Sequence, residues 1–454
     1  MPKSKYKYDK INNFLIACES GCRPKGGIKE ADDGEAISLG GEQIGKDGSL
    51  ELSKIPYVSF DFYENAAKGK VHNNDILICK DGALTGKTCL VDFSLFPSQE
   101  VMVNEHVYIL RGTKEVNQRI LFYFTTTNLF QSQVKDLAYK KKAQPGLNTD
   151  HFKKIKIPLI PKQKQDQIVA KIEPIEKKIK ELKAQVTHPQ EVINKVFARE
   201  FGFDENLFNE FGKGMTAGTQ IAQSRTLRVF KTNFEELARS RIVRFSTRFH
   251  NPPTKKLMDF LDSIETIQVK DIIDCYEKGV QPKYNPDGDI PVVKIANLKN
   301  SYIDFSEPEF ITQEYYNYLE ERKKLKQSDI IICATGKISL GKIDYYDYEQ
   351  ESITAVDNYI LRLKEKYNPL FFTYFFRSIL GYFQIERDYT GATNQIHLYW
   401  EQISNFQIPY LSLKAQQKNV DEIKAELDKQ EEIKRKIERE RNKIDEIIEK
   451  AFVF

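Results

Sequence analysis

Two short glycine-rich segments come closest to a known chemical motif, the phosphate-binding loop. Residues 82–88 read GALTGKT and residues 336–343 read GKISLGKI. A P-loop has four residues between its glycines, a Ser or Thr after its lysine, and a helix whose first amides hold the phosphates. The first segment is one residue short between its glycines, the second lacks the hydroxyl, and strand-like residues follow both. We therefore predict strand–turn–strand loops and no nucleotide binding.

A second motif hints at methyl transfer. Residues 251–254 read Asn-Pro-Pro-Thr, close to the Asn-Pro-Pro-aromatic tetrapeptide with which amino-methyltransferases hold a flipped base. Thr254 replaces the aromatic ring, and no strand and glycine loop for S-adenosylmethionine precedes it. The prolines are explained more simply as a stop before a helix over 254–261. The six histidines are scattered, so the chain is predicted to be non-catalytic.

The composition is that of a globular protein. Of the 454 residues, 40% are hydrophobic, and no apolar run approaches the length of a membrane span. The first residues lack the apolar core of a signal peptide, and six cysteines suit a reducing compartment, so we expect a cytoplasmic protein without a membrane. Cys18 and Cys22 are the only close pair, and we predict no metal site. With 69 basic and 65 acidic side chains, any binding to nucleic acid depends on where the lysines lie.

The chain repeats itself. Residues 75–82, DILICKDG, return as DIIICATG at 329–336, and Tyr-Ile-Leu-Arg at 108–111 returns at 359–362. Ile-Pro at 157–158 returns at 408–409. Matching blocks in one order, at an offset of 254 falling to 251, indicate two copies of a whole domain rather than a solenoid.

Each copy has the same predicted order of elements. Short apolar runs separated by Gly- and Asp-containing turns indicate strands, an aromatic helix follows, and an extended Ile-Pro segment leads into a long charged helix. The predicted limits are a first β-rich domain over 1–160, a first spacer helix over 161–200, a connector over 201–240, a second β-rich domain over 241–411 and a second spacer helix over 412–454.

The two long helices are predicted to pair as an antiparallel coiled coil. Apolar residues step by four and three along the first, which is an a/d seam: Ile168, Ile172, Ile175, Ile179, Leu182 and Val186. The alternative is that each helix packs only on its own domain. Pro174 lies inside the first seam, and a mid-helix proline costs about 3 kcal/mol, so we expect a kink or a restart near Glu173.

Basic and amide side chains recur on the predicted loops of both copies. Lysine and arginine on loops can neutralise phosphates, and Asn, Gln and Arg can read base edges. Each residue alone is explained better as an ordinary solvated loop residue, and only the repetition in both copies favours DNA contact for the set. The candidate DNA-binding residues are Arg23, Lys25, Lys87, Lys141, Lys142, Lys283, Lys337, Lys342, Arg387, Asn394 and Gln395.

This layout resembles the specificity subunits of Type I restriction–modification systems over nearly the whole chain. The resemblance is carried by the Asp75 and Asp329 blocks, the two Ile-Pro segments, and the helix starts at 162–169 and 414–420. It implies an α+β fold of two tandem target-recognition domains, each followed by a long helix and each reading one half of a bipartite DNA sequence.

The resemblance also implies partners. Methyltransferase (modification) subunits, two of them, would dock on the paired helices, and restriction subunits could join. S-adenosylmethionine would then bind the partner, and this chain would bind no cofactor. The residues over 244–252 look like a family segment leading into the second domain, whereas the first copy lacks an equivalent. The alternative that the chain is the recognition subunit of a Type II-like methyltransferase or nuclease therefore stays open.

The seam gives a length for the spacer. Residues 162–186 span about 37 Å as a helix, close to the 34–36 Å of one turn of B-DNA, which predicts half-sites whose centres are about one turn apart. Two other classes remain: an enzyme with an unrecognised site, which would bind a methyl donor, and a protein-binding scaffold, whose binding would be insensitive to salt.

Overall fold

The computed structural model describes residues 6–25, 36–45, 48–52, 55–139, 145–204, 231, 235, 248–250, 252–392 and 395–452. The chain forms two compact units. The first comprises Met1–Gln185 and Ile433–Phe454, and the second Val186–Glu432. Each unit therefore takes part of the long C-terminal helix as well as its own β-rich region.

The first unit contains three small sheets, with strand orders β2-β8-β5-β6, β4-β3-β7 and β1-β9. The strands are β1 Tyr8–Lys10, β2 Leu15–Ser20, β3 Ala36–Leu39, β4 Tyr57–Val58, β5 Ile76–Cys79, β6 Thr88–Leu90, β7 Val101–Val103, β8 Val107–Gly112 and β9 Lys156–Pro158. The α-helices are α1 Phe60–Asn65, α2 Gln118–Thr126, α3 Asn128–Ala138, α4 Thr149–Phe152 and α5 Lys162–Lys183.

The second unit has sheets of order β11-β17-β14-β15, β13-β12-β16, β10-β20 and β18-β19. The strands are β10 Thr266–Gln268, β11 Ile273–Lys278, β12 Ile290–Val293, β13 Glu309–Ile311, β14 Ile330–Cys333, β15 Ile343–Tyr345, β16 Ile353–Thr354, β17 Asn358–Leu363, β18 Thr390–Ala392, β19 Gln395–His397 and β20 Gln407–Pro409. The α-helices are α6 Pro189–Phe201, α7 Pro252–Ser263, α8 Val269–Ile272, α9 Gln313–Tyr318, α10 Pro369–Arg377, α11 Ile379–Asp388, α12 Trp400–Ile403 and α13 Leu413–Phe452.

The two units repeat one topology. The four-stranded sheet of the first has the same order as that of the second, and the registers agree: Ile78 lies opposite Tyr108, and Ile332 lies opposite Tyr359. In each unit the central strand of the three-stranded sheet pairs antiparallel with one neighbour and parallel with the other. The predicted α+β fold with an internal duplication is confirmed.

A buried ion pair explains two of the repeated sequence blocks. In the first unit, Arg111 donates from Nε and Nη2 to the two carboxylate oxygens of Asp75, at 2.7 and 2.6 Å. In the second, Arg362 makes the same two bonds to Asp329, each 2.7 Å long. Both carboxylates are almost fully buried. A bidentate pair of this kind fixes the register of two adjacent strands, so these four residues serve the scaffold.

Residues of the long helices contribute to a hydrophobic core in each unit. In the first, Ile168 and Ile172 of α5 share a core with Ile448 and Phe452 from the end of α13. Lys178 contacts Glu440 at 2.6 Å.

In the second unit, Phe197 of α6 shares a core with Val420 and Ile423 from the start of α13, and Arg199 forms an ion pair with Glu422. The helix α5 therefore packs against the C-terminal part of α13, and α6 packs against its N-terminal part. This is the predicted antiparallel arrangement.

The expected restart near Glu173 is wrong. The helix α5 continues from Lys162 through Pro174 to Lys183. Pro174 removes the bond to the Ala170 carbonyl, but both residues are exposed, so water can satisfy that carbonyl.

The first spacer is instead interrupted at 184–188. The next helix starts at Pro189, and the nitrogen of Gln190 donates to the side chain of the N-cap residue His188. Val186, the last residue of the predicted seam, lies in the interruption and is 37% exposed.

Among the described residues, no helix is both long and apolar enough to cross a membrane.

Candidate nucleic-acid interface

The two glycine-rich segments form hairpin turns between antiparallel strands. The first links β5 to β6 and the second links β14 to β15. Gly86 donates its backbone N–H to Cys79 O, and Gly341 donates to Cys333 O, both at 2.9 Å. The outer glycine of each turn, Gly82 or Gly336, has a positive φ of 74° or 87°, a region that glycine reaches without strain. A strand follows each turn, so neither turn opens the α-helix that a P-loop requires.

A second segment lies against each turn. In the first unit, Gly82 donates its backbone N–H to Pro145 O at 3.2 Å, and Leu147 donates to Lys80 O at 2.7 Å. In the second unit, the matching bonds run from Gly336 to Ile396 O at 3.1 Å and from Leu398 to Ala334 O at 2.9 Å. The segments that carry the predicted basic and amide loops therefore meet the glycine turns in both units.

The turn lysines occupy equivalent places. Lys87 and Lys342 are half-buried at the last position of their turns, where their carbonyls accept from Cys79 N at 2.8 Å and from Cys333 N at 2.7 Å. Lys337 lies exposed at the outer end of the second turn. Three of the predicted residues thus lie on the two turns.

The residues predicted early in each copy are exposed. Arg23 contacts the carboxylate of Glu105 at 2.7 Å and is 56% exposed. Lys25 and Lys283 are exposed, and the ammonium of Lys283 lies 5.5 Å from the centre of the Tyr315 ring. Both lysines are accessible to a phosphate.

The remaining predicted residues differ in their surroundings. Arg387, at the end of α11, is half-buried, and its guanidinium contacts Asp388 at 2.8 Å, which offsets part of its charge. Gln395 is exposed on β19. Lys141, Lys142 and Asn394 fall outside the described residues, so their contact with DNA stays a prediction.

Sequence reasoning missed a polar pair beside each turn. In the first unit, His106 Nδ1 lies 2.9 Å from Asp81 Oδ1, and His106 Nε2 lies 3.3 Å from Glu105 Oε1. In the second, the Thr335 hydroxyl donates to Asp357 Oδ1 at 3.0 Å. A signal existed, because each pair occupies the same two positions relative to the repeated blocks.

Aromatic rings add a flat surface near the second turn. Tyr276 stacks on Trp400 with ring centres 3.8 Å apart and an interplanar angle of 11°. His397 and Tyr399 are stacked at 5.8 Å. Tyr276 and Tyr399 are 41% and 46% exposed. Such rings can make apolar contacts with bases or sugars.

A buried carboxyl with a raised pKa lies inside the second unit rather than at the turns. Asp344 of β15 is fully buried, and burial raises the pKa of its carboxyl to about 6, although Arg377 opposes the shift. Arg377 contacts Asp344 at 2.5 Å and also donates to Ile343 O. This pair lies between a strand and α10 and serves packing rather than chemistry.

The fold and the paired turns define a duplicated recognition protein built from two homologous α+β units. A family profile described as "Type I restriction modification DNA specificity domain" matches residues 35–188 and 262–441. The chain belongs to this family, whose role is the recognition of DNA sequence, as the resemblance predicted.

The chain is also similar to individual proteins. The chain is 22% identical over 448 residues to the "Type I restriction enzyme MjaVIII specificity subunit" of Methanocaldococcus jannaschii, covering 92% of each chain. It is similar to the Type I restriction–modification S subunit of M. genitalium, at 15% identity and a TM-score of 0.44, covering 100% of this chain and 99% of that one. A chain from a study of type I R-M complex assembly and conformational transition gives 13% identity and a TM-score of 0.47, covering 100% and 98%.

Proposed function

We propose that each unit reads one half of a bipartite DNA sequence. The observation that carries this proposal is that one backbone arrangement, a glycine turn with a second segment bonded against it, is built twice with different side chains. Two readers of the same shape and different chemistry would recognise two different short sequences.

The exposed lysines supply the sequence-independent part of binding. Lys25, Lys283 and Lys337 are exposed on loops or turns, where an ammonium group can reach a phosphate without displacing core side chains. Phosphate contacts position a protein on the duplex, and base contacts carry the sequence information.

The chain itself performs no catalysis in this proposal. It delivers methyltransferase subunits to the DNA, and a restriction subunit could join the same complex. S-adenosylmethionine binds the partner. Because the chain presents the same unit twice, a partner that docks on one unit meets a matching surface on the other, so two methyltransferase subunits are expected. The name of the Methanocaldococcus jannaschii relative, a specificity subunit of a restriction enzyme, supports these separate roles for the chain and its partners.

The paired helices set the gap between the half-sites. The 22 residues of α5 span about 33 Å at about 1.5 Å per residue, close to the roughly 34–36 Å of one turn of B-DNA, so the half-site centres are expected about one turn apart. A longer gap follows if the whole of α13, with its 40 residues, acts as the ruler.

Selection from a random pool of duplexes tests the proposal. The chain, in complex with its methyltransferase, is used to retain DNA, and the retained duplexes are sequenced. We expect two short blocks of fixed sequence separated by a gap of constant length. Retention should fall steeply with salt, because phosphate contacts release counterions. A single uninterrupted block, or binding insensitive to salt, would contradict the proposal.

A further inference from the structure

One set of backbone bonds holds two matched positions beside each glycine turn. In the first unit, Lys80 donates its N–H to His106 O at 2.8 Å, and in the second, Ala334 donates to Asp357 O at the same distance. The thiols of the preceding cysteines point alike, with Cys79 Sγ 3.5 Å from Asp81 O and Cys333 Sγ 3.2 Å from Thr335 O. The backbones therefore present equivalent positions in the same way.

The side chains at those positions differ. The first unit has Asp81 and His106, which are 41% and 44% exposed. The second has Thr335 and Asp357, which are half-buried. In each unit the contact joins a residue at the start of the turn to the residue directly before β8 or β17. Each member orients the other, and because these side chains are not in a core, packing does not dictate their identity.

The neighbours increase the difference between the units. Glu105, beside His106, contacts Arg23 at 2.7 Å, and the Lys80 ammonium donates to Glu105 O at 3.2 Å. The second unit has Ala334 and Val356 at the places of Lys80 and Glu105. The first position thus has charged residues of both signs beside its pair, whereas the equivalent places in the second hold two uncharged residues.

We propose that these polar pairs, Asp81 with His106 and Thr335 with Asp357, select bases in the two half-sites. This inference rests on the proposed function and names the residues that carry its specificity. A carboxylate accepts hydrogen bonds at about four lone-pair sites, and Thr335 uses one of those on Asp357. A carboxylate in the major groove accepts from the exocyclic amino group of a base. Asp357 therefore selects a cytosine, whose amino group is the usual partner of a carboxylate.

The test compares the methylated motif of the wild-type complex with that of the complex containing Asp357→Asn. Asparagine keeps the shape and can still accept from Thr335, but it replaces an acceptor by an NH₂ donor that opposes an amino group. We expect discrimination at one base pair of the second half-site to fall at least tenfold, as when one base contact is lost. The first half-site should stay unchanged. Asp81→Asn should relax one position of the first half-site only.

Asp347→Asn is the matched control. Asp347 is exposed and accepts from Gln327 at 3.0 Å, and it follows β15, at the opposite end of the same hairpin from the turn. This variant should leave both half-sites unchanged. Thermal unfolding of each variant checks that it folds.

Two outcomes would overturn the inference. One is a motif unchanged in both Asp357→Asn and Asp81→Asn. The other is a folded Asp357→Asn variant that loses binding to all sequences equally, which indicates a scaffold role. A wild-type complex that yields no bipartite motif would instead contradict the proposed function itself.

Discussion

At the scale of single residues, the repeated Asp–Arg pairs tie the strands together. Replacing Arg111 or Arg362 by Ala would leave a buried carboxylate without its partner. We expect the free energy of unfolding to fall by about 3 kcal/mol in each case, measured by urea denaturation. The exposed pair between Lys153 and Asp150 provides the control, because solvent screens an exposed pair and Lys153→Ala should have a much smaller effect. Equal losses in all three variants would show that burial of the pair is unimportant.

The turn lysines are expected to act on DNA affinity rather than on sequence preference. If Lys87 and Lys342 contact phosphates, each change to Ala should weaken binding about equally for all sequences and reduce the salt slope by about one. Titration of the complex with duplex DNA at several salt concentrations measures both. Lys171, exposed on α5, is the control position. A lysine variant with unchanged affinity would remove that residue from the interface.

The Asp344 carboxyl gives the stability a pH dependence. Its pKa rises from 3.8 to about 6 on folding, so between these values the folded chain binds a proton more tightly than the unfolded chain does. The stability that this group contributes is present at low pH and is lost as the pH rises through 6. Relative to Asp344→Asn, the free energy of unfolding of the wild type should fall by up to about 3 kcal/mol from pH 4 to pH 7. Urea denaturation of both proteins at several pH values measures this difference in the free energy of unfolding. If the wild type instead becomes more stable relative to Asp344→Asn as the pH rises, Arg377 keeps the carboxyl ionised.

At the scale of elements, a buried glutamine fastens each spacer helix to its unit. Gln165 accepts from Asn117 N at 2.7 Å and donates to Ile160 O at 2.8 Å. Gln416 makes the equivalent bonds to Asn368 N and Leu411 O, at 2.9 and 2.8 Å. Each glutamine joins the first turn of a long helix to the start of the aromatic helix before it.

Removing one of these glutamines should loosen the start of its spacer. Gln416→Ala leaves the Asn368 N–H without its acceptor, which costs about 1–3 kcal/mol, and should raise the hydrogen-exchange rate of that amide. The neighbouring Gln417 is exposed and accepts from the side-chain amide of Asn368 at 2.8 Å rather than from its backbone N–H, so Gln417→Ala should have a smaller effect. Equal exchange rates in the two variants would contradict the fastening role.

The elements also show what the sequence could predict. The repeated blocks predicted the duplication because they recur in the same order, and the heptad pattern predicted the helix pairing because it is a local periodicity. The partner of Asp75 could not be predicted, since Arg111 lies 36 residues away and pairs through strand order. Pro174 was predicted to break the helix, but α5 continues through it, and the next helix starts at Pro189.

The candidate site was less accessible to sequence reasoning than the fold. A search for residues that are identical in the two copies identifies scaffold residues and misses the polar pairs. Asp81 and Thr335, for example, occupy equivalent positions but are different residue types. The domain limits stay a prediction, since most of the connector over 201–240 falls outside the described residues.

At the scale of the whole molecule, the duplication predicts stoichiometry. Two equivalent units should each accept one methyltransferase subunit, so the complex should contain one copy of this chain and two of the partner. Native mass spectrometry of the co-expressed subunits gives the count directly. A complex with a single methyltransferase subunit at saturating partner would show that the units differ in docking as well as in base reading.

The two units and their spacer are together proposed to direct methylation to a split sequence. Methylome sequencing of the host strain with and without the gene tests this role, in cells shown to express the chain and the methyltransferase. We expect deletion to remove methylation at one bipartite motif and restoration of the gene to return it. An unchanged methylome under those conditions would contradict the proposed role.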